Sequence, residues 1–371
     1  MGKMKRRFFP ENLLVFILVI MAGINLHAQE HLRLWSEGPL TWKDFSIRDS
    51  TPAVSRLVYG LYFKEGRQRM GDTVILRYIT IAAMDPQQSY FNRRFLKEEY
   101  LRYNQIIFDL VELYRRKLQY VLDRMEKQVR PWERLIQYKY ELDEEIRRFK
   151  EESGFGQKPE VMDEWQIRIH NEWEQYPADI PSFQAGHWVF DYRMGMSGIV
   201  LGGSMGDYIQ PGAGFEMDYG LRYRHFQSIL LLSVTRNKIL KPLDAHWTEV
   251  NGGAFVAVEW LQGYVWHLSS KHTLIPMAGI GFYSWDGDKE ESEEKSFRYQ
   301  DWTPTLGMTY LYRWRSLIRL IPHNDHHQIW NTNFGFQFLI SKPDFAPGLN
   351  GYILRFGIFW GYDTRRLYFR D

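Results

Sequence analysis

Residues 352–362 alternate with a period of two. Tyr352, Leu354, Phe356, Ile358, Trp360 and Tyr362 are apolar or aromatic, while Ile353, Arg355, Gly357, Phe359 and Gly361 are mixed, small or charged. Such alternation gives a strand one apolar face along its length, and about eleven residues let a tilted strand cross a bilayer. The pattern recurs upstream. Phe215, Met217, Tyr219, Leu221 and Tyr223 interleave with Glu216, Asp218, Gly220, Arg222 and Arg224. Leu306 to Trp314 interleaves with Gly307 to Arg315, and Trp330 to Ile340 follows the same rule. A soluble sandwich buries its apolar faces and wets the others. Here the apolar faces are long and aromatic and the opposite faces carry both signs of charge, which predicts an antiparallel transmembrane β-barrel.

Counting such runs gives about eight strands, at 194–203, 214–225, 228–236, 254–267, 273–285, 305–318, 330–340 and 352–362. Their connections alternate in length. Phe226-Gln227 and Ser269-Ser270-Lys271-His272 are short, whereas 237–253 and 286–304 are long and polar. Barrels of this class have short periplasmic turns and long outer loops. With strand one starting in the periplasm, only the middling 322–328 connection departs from that rule. An even strand count leaves both ends of the barrel on the periplasmic side. A barrel of this size has a lumen that side chains fill, so Glu216, Asp218, Arg222, Arg224, Glu259, Arg313 and Arg355 are expected to pair inside it.

The first half reads differently. Residues 54–63 and 73–83 are β-rich runs separated by a Gly and charge cluster at 64–72, which predicts a small antiparallel sheet. After Asp85-Pro86 the period becomes helical: Ile106, Leu110, Leu113 and Tyr114, then Leu118, Val121 and Leu122. Pro131 interrupts it, a charged helix follows near 132–152, and a third near 161–176 ends at Pro177. The expected fold is therefore an α+β periplasmic domain, a small sheet plus long helices, followed by the barrel. Its boundaries are 1–28, 29–128, 129–180 as a helical linker, and 181–371.

Lys3, Lys5, Arg6 and Arg7 precede an apolar run at 13–24, with Leu26-His27-Ala28 before Gln29. This is the layout of a secretory signal peptide cleaved after Ala28. The 47 basic and 45 acidic residues nearly balance, which argues against nucleic acid as a partner. There are no cysteines, so disulfides, thiolate metal sites, a cysteine nucleophile and a diacylglyceryl anchor are excluded. The implied partners are outer-membrane lipid and a periplasmic or outer-membrane protein.

Residues 101–118 read LRYNQIIFDLVELYRRKL. This resembles the helix of an uncharacterised family of envelope zinc-peptidase-like domains, common in Bacteroidota, whose pattern is approximately LLxHEQxHFDIxELxARxLR. The resemblance reaches back to Pro39-Leu40-Thr41-Trp42-Lys43-Asp44-Phe45, like that family's opening LTWxDF, and to Ser89-Tyr90-Phe91. It spans residues 34–122. It implies two histidines four apart on one helical face to hold zinc, and a glutamate as general base. Here those positions are Tyr103, Ile107 and Asn104, and only Glu112 stands where a third ligand is expected. A lone carboxylate does not hold a catalytic zinc, so the resemblance implies a pseudo-peptidase without metal, cofactor or catalytic residue.

Three other features could carry chemistry. His323, Asp325, His326 and His327 form a histidine cluster that reads best as a solvated turn. The acidic residues from Asp286 to Glu294 lack the spacing of a calcium loop and read as an outer loop. Glu216 and Asp218, two apart, could mimic a hydrolase pair, but salt-bridged packing explains them more simply. Trp35, Trp42, Tyr90 and Tyr100 are candidates to line a binding cleft. The resulting expectation is a non-catalytic outer-membrane protein whose periplasmic domain binds an envelope partner. The alternatives are an enzyme, or a narrow pore, working in the lumen and outer loops.

Overall fold

The computed structural model describes residues 31–51, 53–125, 130–177, 180–241, 252–287, 298–323 and 326–369, so the expected signal peptide lies outside the described residues. Two units result: residues 1–65, 78–125 and 129–180, and residues 66–77, 126–128 and 181–371.

The hairpin strands are β1 (Tyr59–Met70) and β2 (Thr73–Met84), whose residues 66–77 are counted with the second unit and the rest with the first. β1 runs through most of the charged cluster expected to separate two strands, because Gly71 turns the chain with φ +62°. A second small sheet sets Ser46–Arg48 parallel to Tyr90–Asn92, with Ser55–Arg56 antiparallel on the other side. The expectation of a wholly antiparallel sheet is corrected there. Three helices follow: α1 (Glu98–Arg124), α2 (Pro131–Glu152) and α3 (Pro159–Gln175). Glu98 and Glu99 favour the start of α1 through the helix dipole, and α2 and α3 open on Pro131 and Pro159, where a missing N–H costs nothing.

Ile106, Leu110, Leu113 and Leu118 of α1 share one core with Leu142, Ile146 and Phe149 of α2 and Met162, Trp165 and Ile169 of α3. The helices at 129–180, expected as a linker, are therefore part of the same core as α1. The charged face of α2 is exposed in part, with Arg147 paired to Glu144 at 2.8 Å and Glu151 at 3.0 Å, but Glu145 turns to Arg168 of α3.

The second unit is a ring of β3 (Trp188–Gly203), β4 (Gly212–Tyr223), β5 (Phe226–Lys238), β6 (Gly252–Tyr264), β7 (His272–Gly287), β8 (Arg298–His323), β9 (His326–Ser341) and β10 (Leu349–Phe369). Each pairs antiparallel with the next, and β10 pairs back onto β3, where Phe356 stands opposite Gly198. Residues Thr73–Leu76 belong to this unit and run parallel to Ser316–Arg319 of β8.

The alternation has its expected sense. Met196 is 72% exposed, Ile358 64% and Trp302 63%, while Arg355, Glu259 and Asp218 are buried. Two connections, 224–225 and 265–271, lie at the end where the chain enters β3 and leaves β10, as do the facing strand ends His323 and His326. Most of the expected 322–328 connection belongs to the strands instead, since His323 pairs with His326 and Arg319 with Gln328. β8 also breaks its own parity. A bulge between Arg313 and Arg315 inserts one residue, so the buried positions beyond it are Ser316, Ile318 and Leu320.

Candidate functional site

The four positions of the resembled metal motif lie on the buried side of α1. Tyr103 stacks on Phe149 with ring centroids 5.3 Å apart, and burial raises its phenol above the usual tyrosine range. Asn104 donates from Nδ2 to Ser55 Oγ at 2.9 Å and to the Tyr100 carbonyl at 2.7 Å. Ile107 is a core residue. Glu112 accepts from Arg115 Nε at 2.6 Å, Arg115 Nη2 at 2.8 Å and Arg116 Nε at 2.8 Å. All four side chains are committed to packing or to hydrogen bonds.

The residues that do match the family pattern have structural partners as well. Gln105 accepts from the Leu40 backbone N–H at 2.6 Å and donates to Asp109 Oδ1 at 2.7 Å. Trp35 Nε1 donates to the same oxygen at 2.8 Å, and the Trp35 ring meets Trp173 edge-on at 5.2 Å. Burial raises the Asp109 carboxyl above its ordinary value, against the lowering effect of these two donors. The Arg116 guanidinium lies 4.9 Å from the Trp173 ring.

The opening motif is tied down similarly. Thr41 donates from its backbone N–H to Asp44 Oδ2 at 2.6 Å, and Phe45 and Trp42 both pack on Phe91. Of the aromatics proposed for a cleft, Trp42 packs on Phe91, and the Arg48 guanidinium lies 4.4 Å from the Tyr90 ring. Tyr100 meets Phe95, whereas Trp35 belongs with Trp173.

The barrel lumen holds three layers. Near the tight-turn end, Asp363 accepts from Asn331 and Asn333, both at 2.8 Å, and lies 3.9 Å from Arg222. Asp191 accepts from Gln227 at 2.9 Å. In the middle, Arg193 donates to Asp218 Oδ1 at 2.7 Å. Arg355 pairs with Glu259, which also accepts from the Tyr283 hydroxyl, and Arg355 donates to Ser233 at 3.1 Å. At the far end Ile199, Met205, Phe255, Trp285, Leu349 and Ile353 form an apolar plug.

Glu216, Asp218, Arg222, Glu259 and Arg355 are buried in the ring; Arg355 and Glu259 pair with each other, while Asp218, Arg222 and Glu259 also meet residues the sequence reading missed: Arg193, Asp191 and Asp363, and Tyr283. Asp191 and Asp363 lie just outside the strand limits read from alternation, because a charge at a lumenal position looks like the end of an apolar run. Arg193 abuts the same limit. Arg224 is not lumenal. It sits in the turn after β4 with φ +53°, exposed, its guanidinium near the Tyr223 ring. Arg313 lines a crevice of about 50 Å³ at the mouth, with Arg222, His267, Lys271 and Asp363.

The histidine cluster is dispersed. His323 stands opposite His326 in the β8–β9 register, His327 packs against Phe369 at 4.9 Å, and Asp325 lies outside the described residues. Asp286 pairs with Arg298 at 2.6 Å, and the rest of the acidic run, residues 288–294, lies outside the described residues.

No protein-family model matches the chain, and no curated protein matches it in sequence. Among solved structures it is similar to Ail, the attachment invasion locus protein of Yersinia pestis, at 14% identity and a TM-score of 0.28, covering 50% of this chain and 100% of that one. It is similar to Neisserial surface protein A at 8% identity and a TM-score of 0.31, covering 49% and 99%. It is also similar to the outer membrane protease OmpT of Escherichia coli at 8% identity and a TM-score of 0.24, covering 51% and 100%. Likeness of this degree transfers no activity to this chain.

Proposed function

We propose that this chain is a non-catalytic outer-membrane protein: the barrel anchors it, and the unit built on α1, α2 and α3 is a periplasmic binding module for an envelope protein. The observation that carries this reading is the commitment of Tyr103, Asn104, Ile107 and Glu112 to core packing and hydrogen bonds. A fold whose catalytic positions have been given over to packing retains surfaces for recognition. The apolar outer wall of the ring supports a membrane setting. The tight connections at the end where the chain enters and leaves the ring support placing that end in the periplasm.

An enzyme acting through Glu216 or Asp218, and a narrow pore, are the rival readings. The cross-lumen pair Arg355–Glu259 and the buried pair Arg193–Asp218 on neighbouring strands, together with the plug around Trp285, weigh against both. The test is a pull-down from detergent-solubilised outer membranes, with mass spectrometry of what co-purifies. A stoichiometric envelope protein that disappears when residues 29–175 are deleted supports the reading. A partner-free protein, or one whose partner survives the deletion, sinks it.

A further inference from the structure

We propose that the outer wall of the barrel carries a binding site for an anionic phospholipid at the tight-turn end, centred on Arg366. This deepens the membrane reading above and rests on it. A crevice of about 590 Å³ opens there over β3, β9 and β10, lined by Trp188, Phe190, Leu221, His326, Arg366 and Tyr368 among others. Phe190, Trp188 and Tyr368 are more than half exposed, so their rings form an apolar surface on the outer wall.

Arg366 points the same way. It is exposed, has no ion pair among the described residues, and stands opposite Gln328 in the β9–β10 register. Its carbonyl accepts from the Gly186 N–H at 2.8 Å, which fixes the backbone beneath the guanidinium. No carboxylate lines the crevice. An exposed guanidinium keeps its donors free for an anion, and the aromatic rings beside it give the apolar part of an amphiphile a surface to lie on.

A second crevice on the same wall isolates what matters. It measures about 580 Å³ and is lined by Phe226, Gln262, Tyr264, Pro276, Ala278 and Leu306 with no charged side chain. The two are equal in size, so volume does not set them apart; charge does. A phosphodiester accepts two parallel hydrogen bonds from a guanidinium, and the imidazoles of His187 and His326 offer further donors. Trp188 and Tyr368 suit the headgroup level, and an acyl chain can lie along Phe190 and Leu221.

The experiment is native mass spectrometry of the full chain in detergent, titrated with phosphatidylglycerol or phosphatidylcholine. The expected result is preferential retention of one phosphatidylglycerol, weakened about tenfold by Arg366→Gln and partly restored by Arg366→Lys. Ala278→Trp, in the uncharged crevice, leaves it unchanged. Equal retention of the two lipids, or no effect of Arg366→Gln, overturns the proposal. So does displacement by an equal concentration of inorganic phosphate, which assigns the site to the free anion. Boiled and unboiled samples of each variant are compared on a gel. A wild type that migrates identically in both fails the membrane-barrel reading itself, whereas a heat-modifiable protein without lipid preference fails only this proposal.

Discussion

Arg193 and Asp218 stand directly opposite each other in the β3–β4 register and are joined on the inner face of these neighbouring strands by a 2.7 Å hydrogen bond. Both are buried. Removing one member leaves the other charge without its partner in a site water cannot freely reach. Asp218→Ala is expected to cost about 3–5 kcal/mol, and Arg193→Met with Asp218→Leu to recover most of that loss. The check is the urea midpoint for loss of the fast-migrating unboiled band. A double variant no better than Asp218→Ala would remove the pair from the stability argument.

Gly357 makes room for Glu216. A β-carbon at Gly357 would lie 1.9 Å from Glu216 Oε1, closer than atoms approach without something shifting. Gly357→Ala is therefore expected to destabilise the ring by about 1–3 kcal/mol, and adding Glu216→Ala to relieve it. Unfolding midpoints of the two variants decide the matter, with equal values counting against the contact.

Asp109 gives the helical unit a pH dependence. Its carboxyl is raised in the folded state, chiefly by burial. At low pH it is protonated in folded and unfolded chains alike, and no penalty exists. As pH rises past the ordinary carboxylate value, the unfolded chain releases its proton first and stability falls. The loss is complete once pH exceeds the raised folded value. Asp109→Asn keeps the oxygen that accepts from Trp35 and Gln105. The variant is expected to melt a few degrees above wild type at neutral pH, with the gap closing towards about pH 3. Far-ultraviolet helical ellipticity reads it; a gap that widens on acidification contradicts the assignment.

The family resemblance makes its own prediction. On that resemblance, Tyr103→His, Asn104→Glu and Ile107→His together are expected to create a site for one zinc per chain. Stability should fall by about 2–5 kcal/mol from the lost core contacts. Metal content after dialysis is the measurement, and a zinc-free triple variant removes the argument from kinship.

The strands were legible because a membrane-facing wall forces alternation, and the eye needs only residues such as Phe356, Ile358 and Trp360 to see it. The strand ends were less so. Asp191 and Asp363 belong to the lumen, yet each reads as the polar stop of an apolar run. The extra residue near Trp314 in β8 is invisible too, because a bulge changes parity without changing composition. Helix limits near Pro131 and Pro159 were close, since proline at a first turn is a local signal. That residues 129–180 pack into the α1 core was not visible, because an exposed charged face such as Glu144, Arg147 and Glu151 masks the buried stripe of Leu142, Ile146 and Phe149.

The sequence by itself determined the helical and barrel regions, the inward set Glu216, Asp218, Arg222, Glu259 and Arg355, and the want of imidazole ligands at Tyr103 and Ile107. These follow from periodicity and side-chain chemistry, which are local. Only the tertiary structure decided which charge meets which: Arg193 with Asp218, Arg355 with Glu259, Arg115 and Arg116 with Glu112. It also moved Arg224 out of the lumen and set Arg366, which has no ion pair among the described residues, in one crevice with Phe190 on the outer wall. Pairing depends on strand register and on where a turn reverses the chain, and a period-two pattern looks the same whichever neighbour lies beside it.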